Sequence, residues 1–218
     1  MRSNEIERYK TKLQLTEEQK EVLIGILLGD ATLETQNNGR TYRIKIEHSL
    51  KQKAYAEHLY VLFNDWARSK PWERRITLSN GRTYTNIVFS TLSHPSLRFY
   101  AHQFYKDRVK IVPRLIGKWL TPKALAYWFM DDGSIKSKQS KGVIFNTHGY
   151  QKHEIGRLIQ VLCEKFHLEA KLRSQKEGYQ IYVSGKSYEN FTKLVLPHIL
   201  PDMMYKIPEA RRTHLPKT

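Results

Sequence analysis

Hydrophobic residues follow two different periods along this chain, and the changes of period predict helices and strands. Two nearly continuous apolar runs, LIGILLGDA at 23–31 and LAYWFMDDG at 125–133, predict buried helices. Alternation over 42–47, with Ile44 and Ile46 on one side, predicts a half-buried strand whose other face is free for a ligand. The chain is predicted to run helix, two strands, helix, two strands, helix, and then to repeat that order.

Internal repetition organises this pattern. Each apolar helix follows a Leu-Thr pair, in which Thr16 and Thr121 are predicted N-caps. Each is predicted to stop at a short turn, at 29–31 around Asp30 or at 131–133 around Asp132. The order of elements predicts an α+β fold with antiparallel sheets, built from two tandem copies of one unit. The predicted divisions are an N-terminal extension (1–14), a first half (15–117), a second half (118–210) and a C-terminal tail (211–218).

Charge narrows the class of partner. The chain has 218 residues, with 37 Lys+Arg against 21 Asp+Glu and a formal net charge of +16. Because the basic residues are spread along the chain, they predict a folded surface that binds a nucleic acid. The single cysteine, Cys163, excludes an intramolecular disulfide and a Cys-rich zinc site, and the histidines lack the spacing of a His/Cys zinc nuclease.

Targeting and membrane signals are absent from the sequence. Residues 1–12 are polar and contain acidic side chains, so they resemble neither a secretory signal nor a transit peptide. No apolar run approaches the roughly 18 residues that a membrane span requires. We therefore expect a soluble protein that works where it is made and has no membrane partner.

The two aspartates at the helix ends are the candidate chemistry. Gly25 and Gly29 lie on one side of the first helix and permit close approach of the second, which would bring Asp30 and Asp132 together. Two carboxylates at helix C-termini repel each other and the helix dipoles, so the pair favours a bound cation, and oxygen ligands suit Mg²⁺. Either aspartate alone is more often a turn residue, whereas the duplicated pair in a basic protein predicts metal-dependent phosphodiester hydrolysis.

These residues resemble the LAGLIDADG homing endonucleases in their single-chain, two-motif form, and within that family the omega-type intron-encoded enzymes. The resemblance covers about 16–208 and rests on GDA in the first motif, LTPxxLAYWFMDDG in the second and MMYKIP near the end. Tyr127 stands where the motif has the glycine that Gly25 preserves, and Ala31 replaces the terminal glycine. The departure at Tyr127 predicts an asymmetric helix interface and places equal cleavage of the two DNA strands in doubt.

The resemblance implies two αββαββα halves that form a saddle, with DNA-binding sheets and a central two-helix interface. It implies that Asp30 and Asp132 bind Mg²⁺, with Mn²⁺ as a substitute, and that Lys110 and Lys206 lie near the scissile phosphates. The basic residues of the strands and loops are candidate DNA contacts, although each is explained equally well as a solvated charge. They are Arg40, Arg43, Lys45, Arg74, Arg75, Arg82, Lys136, Lys138, Lys141, Lys171 and Arg173.

Three functions remain compatible with these features. The first is a monomeric, site-specific endonuclease that cuts both strands of a long asymmetric DNA site and supports intron homing. The second is a maturase that binds intron RNA, and the third is a catalytically inactive DNA-binding module, which the retained Asp30 and Asp132 disfavour. The absence of a transit peptide in such a family indicates an organelle-encoded protein, with the chloroplast favoured over the mitochondrion.

Overall fold

The structure is a computed structural model that describes residues 3–209, so the predicted tail at 211–218 lies outside the described residues. Its helices are α1 Ser3–Lys10, α2 Glu17–Leu28, α3 Lys53–Leu62, α4 Leu97–Phe104, α5 Ile116–Trp119, α6 Pro122–Asp132, α7 Lys152–Glu164 and α8 Tyr188–Val195. Its strands are β1 Thr32–Glu34, β2 Arg43–Ser49, β3 Trp72–Thr77, β4 Thr83–Ser90, β5 Tyr105–Lys106, β6 Val109–Lys110, β7 Gly133–Ile135, β8 Val143–Phe145, β9 Ala170–Gln175 and β10 Gly178–Val183.

The same topology occurs twice. One four-stranded antiparallel sheet has the order β1-β2-β4-β3, and the other has the matching order β7-β8-β10-β9. Helices α2, α3 and α4 belong to the first copy, and α6, α7 and α8 to the second. The predicted α+β fold with two αββαββα copies is therefore confirmed. The exact division of the halves stays a prediction, and the join assigned to 117–118 falls within α5.

The central contact is between α2 and α6. Thr16 and Thr121 cap these helices as predicted, because each side chain accepts a hydrogen bond from a backbone N–H three residues later. Both helices are buried over most of their length. A Cβ added at Gly25 would lie 2.4 Å from the carbonyl oxygen of Ala124 and 2.8 Å from the Cβ of Tyr127. Glycine at this position is thus what allows the two backbones to approach so closely.

The ends of these two helices differ, and here one prediction was wrong. α2 ends at Leu28, and Asp30 lies in the turn that follows. α6 instead continues through Asp131 and Asp132, which the sequence pattern had assigned to a turn. Glycine is a poor helix former, so Gly29 favours an early stop in α2, whereas the corresponding residue of α6, Asp131, is buried and hydrogen-bonded.

Each main sheet presents one face to the core and one away from it. On β2, Ile44, Ile46 and His48 are buried, and the alternate residues Arg43 and Lys45 lie on the other face. The predicted alternation is thus confirmed, and it extends one step further to a buried histidine. We call the outward faces of the β1–β4 and β7–β10 sheets the first and second outer faces. Within residues 3–209, no helix combines the length and apolarity needed to cross a membrane.

Candidate metal centre and nucleic-acid interface

The two predicted carboxylates meet at the adjoining ends of α2 and α6. The Asp30 side chain is 46% exposed, whereas Asp132 is half-buried at the last position of its helix. Burial, and next the negative charge of Asp30, raise the pKa of Asp132 to about 7. The carboxylates are therefore close enough to repel each other, and they do so in different surroundings.

A third carboxylate, which sequence reasoning did not assign to the centre, lies beneath the other two. The side chain of Asp131 is fully buried, and its Oδ2 accepts a hydrogen bond from the backbone N–H of Asp30 at 3.0 Å. Burial, followed by the charge of Asp30, raises the pKa of Asp131 well above its usual range. Asp131 occupies the space beside Gly29, because a Cβ there would lie 2.3 Å from its Oδ2.

His48 completes this cluster from the first sheet, and sequence reasoning missed it as well. Its Nδ1 lies 3.6 Å from Oδ2 of Asp30, and its Nε2 lies 4.0 Å from Oδ1 of Asp131. Burial lowers the pKa of His48. The sequence did carry a signal, because the alternation of Ile44 and Ile46 continues to His48 and places a polar ring on a core-facing side.

A lysine binds the end of each motif helix. Lys110 donates to the carbonyl oxygens of Gly29 at 2.6 Å and Ala31 at 2.8 Å. Lys206 donates to the carbonyl of Asp131 at 2.8 Å and to that of Met130. Burial lowers the pKa of both ammonium groups, while the nearby aspartates oppose that shift. Each ammonium uses two of its three donors in these contacts and compensates the negative end of a helix dipole.

The donor set fits a divalent cation. Asp30, Asp131 and Asp132 supply carboxylate oxygens, and one atom each from Asp30, His48 and Asp131 lie within 4.8 Å of one another. Nδ1 of His48 and Oδ1 of Asp131 are buried without a hydrogen-bond partner among the described residues. Such unpaired polar atoms are costly to bury, and a bound cation would satisfy them.

The first outer face brings together three of the predicted DNA-binding residues, each paired with an acid. Arg43 contacts Glu34 at 2.8 Å, Lys45 contacts Glu47 at 3.2 Å, and Arg74 contacts Glu47 at 3.1 Å. The acids therefore neutralise part of the charge of this face and fix the positions of its basic side chains.

The second outer face carries basic residues without acids. The residues that share it in the strand register are Ser134, Ile144, Lys171, Arg173, Gln175, Gln180 and Tyr182, none of which is acidic. The ammonium groups of Lys136 and Lys171 lie 5.0 and 5.7 Å from the centre of the Tyr182 ring. These lysines lie against an aromatic ring instead of a carboxylate, so their charge is not neutralised by it.

The remaining predicted DNA-binding residues are not among those placed on the two outer faces. Arg75 follows Arg74 on β3 and therefore faces the opposite side of the sheet. Lys141 lies 4.8 Å from the ring centre of Tyr188. Three further residues occupy exposed connections between strands, namely Arg40, Arg82 and Lys138.

The two-copy fold and the paired carboxylates at its central helices define a class of nuclease fold, and comparison with known proteins identifies it. The family model of the LAGLIDADG DNA endonuclease family matches residues 20–191, and the chain belongs to this family. The resemblance inferred from the two motifs is confirmed.

Several relatives cover most of this chain. A probable intron-encoded endonuclease 1 from Wickerhamomyces canadensis is 34% identical over 200 residues, covering 88% of this chain and 85% of the relative. The DNA endonuclease I-ChuI from Chlamydomonas applanata is 28% identical, and the match covers 93% of this chain and 100% of that protein. The cytochrome b mRNA maturase bI2 of Saccharomyces cerevisiae is 28% identical over 85% of this chain, which corresponds to 46% of that protein.

One solved structure matches nearly the whole chain. The homing endonuclease I-WcaI bound to its DNA recognition sequence superposes with a TM-score of 0.90 and 30% sequence identity. The match covers 96% of this chain and 95% of that one. The fold described above is therefore that of a homing endonuclease.

Proposed function

We propose that this chain is a site-specific endonuclease that cuts both strands of a long asymmetric DNA site and so supports intron homing. The observation that carries the proposal is the convergence of Asp30 and Asp132 at the adjoining ends of α2 and α6, with Lys110 and Lys206 bound to those ends. Endonuclease relatives and the DNA-bound homologue support it.

Asp30 and Asp132 are the proposed cation ligands, with Mg²⁺ as the natural ion and Mn²⁺ as a substitute. A bound divalent cation supplies water activation and stabilisation of charge on the phosphate oxygens. Lys110 and Lys206 hold the two helix ends in place and keep positive charge at the centre. One N–H of each ammonium is left over after the contacts with backbone carbonyls, and we assign it to a phosphate oxygen.

The outer faces are the proposed DNA-binding surface. Arg43, Lys45 and Arg74 on the first face, and Lys171 and Arg173 on the second, have the side-chain types that bind phosphates and read guanine in the major groove. Arg75 and Lys141 lie off these faces, so we assign them no base contact. We propose a monomer, because one chain already contains both copies of the unit and both aspartates.

An organelle is the proposed compartment, and its support is the intron-encoded endonuclease among the relatives. The chloroplast is the finer proposal. Mapping the gene to a chloroplast or a mitochondrial genome decides between the two, and a nuclear gene would contradict both.

The test of the proposed function is cleavage of DNA from an allele that lacks the host intron. Purified protein with Mg²⁺ should produce one discrete double-strand break, and sequencing should place short 3′ overhangs at the intron insertion site. Chelation of the metal should abolish the break without abolishing binding. Specific binding to that DNA without any break under these conditions would contradict the proposal.

A maturase activity is the second candidate, and the similarity to a yeast cytochrome b mRNA maturase favours it. The two activities can be separated by ligand. Tight binding to the host intron RNA, with faster splicing in its presence and no cleavage of intronless DNA, would support the maturase instead.

A further inference from the structure

The centre contains a nitrogen donor in addition to its carboxylates. The buried ring of His48 lies between Asp30, 3.6 Å from Nδ1, and Asp131, 4.0 Å from Nε2. Both distances exceed the range of a hydrogen bond to a nitrogen donor. His48 and the two aspartates are therefore neighbours without direct hydrogen bonds, and one ligand atom from each lies within 4.8 Å of the others.

Nδ1 of His48 is buried and makes no hydrogen bond with any of the described residues. The same holds for Oδ1 of Asp131 and for the Tyr55 hydroxyl, which lies close to the Asp131 carboxyl. A buried polar atom without a partner is costly, so an unpartnered ring nitrogen beside an unpartnered carboxylate oxygen indicates a missing ligand. The ring of His48 is buried and packs against Tyr55, with their centres 4.9 Å apart.

We propose that His48 is a nitrogen ligand to a divalent transition-metal ion that Asp30 and Asp131 also bind. The proposal rests on the proposed function, since Asp30 is a ligand in both. Carboxylates alone suit Mg²⁺, whereas an added imidazole shifts preference towards the ions of the Mn²⁺-to-Zn²⁺ series. The centre is thus built to hold Mn²⁺ more tightly than an all-oxygen site would.

The nitrogen donor is present in only one copy. Thr32 pairs with Lys45 in the first copy, and the equivalent Ser134 pairs with Ile144 in the second. Lys45 and Ile144 are therefore equivalent positions. Three residues further along each chain segment, Thr147 is the counterpart of His48. Thr147 donates its hydroxyl to a backbone carbonyl and offers no ring nitrogen. By the same alignment of the two copies, Gly29 is the counterpart of Asp131. The two sides of the centre therefore differ in ligand chemistry.

Pulsed electron paramagnetic resonance on the full chain with Mn²⁺ alone tests this assignment. The spectrum of bound Mn²⁺ should show coupling to an imidazole nitrogen, and labelling the histidines with ¹⁵N should change that coupling without any substitution. His48→Gln should remove it and weaken Mn²⁺ binding by at least about 10-fold, with a smaller loss for Mg²⁺. The matched control is His58→Gln, which makes the same substitution at a half-buried histidine outside the centre and should leave the coupling intact.

Two results would overturn the assignment. One is bound Mn²⁺ without nitrogen coupling in the wild-type chain, and the other is coupling that persists in folded His48→Gln protein. The ¹⁵N experiment covers the case in which that variant does not fold. Cleavage with Mg²⁺ separates this inference from the proposed function. Intact cleavage without nitrogen coupling contradicts only the inference, and nitrogen coupling without cleavage contradicts only the endonuclease.

Discussion

The two halves of this protein share one topology, yet they place their key aspartates in different surroundings. Asp30 follows a helix that has already ended and is 46% exposed, whereas Asp132 belongs to its helix and has a pKa raised to about 7. His48 and Asp131 lie beneath Asp30, and their counterparts are Thr147 and Gly29. Duplication has thus preserved the position of the carboxylate and not its environment.

The largest effect is expected from removing either carboxylate. Asp30→Asn or Asp132→Asn should abolish double-strand cleavage, because each variant loses the charge of a proposed cation ligand. Loss of a residue that only hydrogen-bonds a metal ligand typically lowers activity by about 10–100-fold. Loss of a ligand itself should lower the cleavage rate by more than that. A supercoiled plasmid carrying the target separates intact, nicked and linear products, and gel shifts check that DNA binding survives.

The pattern of nicking sharpens the comparison between the halves. If the two aspartates serve different strands, the two variants should leave nicks on opposite strands wherever residual cutting is seen. A variant that linearises the plasmid at the wild-type rate would contradict its assignment as a ligand.

Substituting Lys110 and Lys206 tests whether cleavage depends equally on the lysine bound at each helix end. Lys110→Met and Lys206→Met keep most of the side-chain volume and lose the ammonium, so cleavage should slow by about 10–100-fold while DNA binding changes little. Single-turnover rates and binding constants measured on the same site provide the check. Equal losses in both quantities would reduce these lysines to phosphate anchors.

Asp132 should also make stability depend on pH in metal-free protein. Its folded pKa of about 7 exceeds its ordinary value of 3.8, so the folded state holds more protons than the unfolded state between these values. The free energy of unfolding should therefore fall, from this group, as pH rises from about 4 to 7. Asp132→Asn removes that fall and should be more stable than wild type at pH 8, by on the order of 1 kcal/mol or about 2–4 °C in Tm.

Thermal unfolding in the presence of a chelator measures this difference. Near pH 4 the two proteins should melt together, and saturating Mg²⁺ should restore the advantage of the wild type at pH 8, because only the carboxylate binds the cation well. Asp30→Asn should reduce the fall only in part, because it removes the charge of Asp30 but leaves Asp132 buried. A constant gap between wild type and Asp132→Asn from pH 4 to 8 would contradict the assignment.

The sequence predicted the fold correctly because repetition is visible in the residues themselves. The same repetition predicts the pair of carboxylates, whose role as ligands stays a prediction. Apolar runs, N-caps and alternating strands occur twice in the same order, so an error in one copy is corrected by the other. The prediction failed where the copies differ. The turn predicted at 131–133 does not begin at Asp131, because α6 continues through this residue and buries its carboxyl.

The rest of the centre depends on contacts between residues far apart in the chain. His48 lies on β2 of the first copy and Asp131 on α6 of the second, and no local pattern shows that they are neighbours. The same limit applies to the outer faces. Alternation correctly placed Arg43 and Lys45 on one side of a strand, but it could not show which acid binds them, and it did not separate Arg74 from Arg75.

The smallest effects should distinguish the two outer faces. Lys171→Gln on the second face removes a charge that pairs with no carboxylate of residues 3–209, so it should weaken binding to all DNA sequences alike and reduce the salt slope of binding by about 1. Glu34→Gln on the first face frees Arg43 instead, while Lys45 keeps its contact with Glu47. It should strengthen binding to unrelated DNA and narrow the gap between target and non-target by about 1–3 kcal/mol, because the arginine is no longer held for one base pair.

Binding constants for target and random duplexes over a range of salt concentrations test both variants together. The matched control is Arg75→Gln, which removes a charge from the opposite side of the first sheet and should change neither the slope nor the discrimination. If Glu34→Gln and Lys171→Gln alter the same quantity in the same direction, the two faces bind DNA in the same way. In that case the acids of the first face serve only to stabilise the folded sheet, and the difference between the halves is confined to the centre.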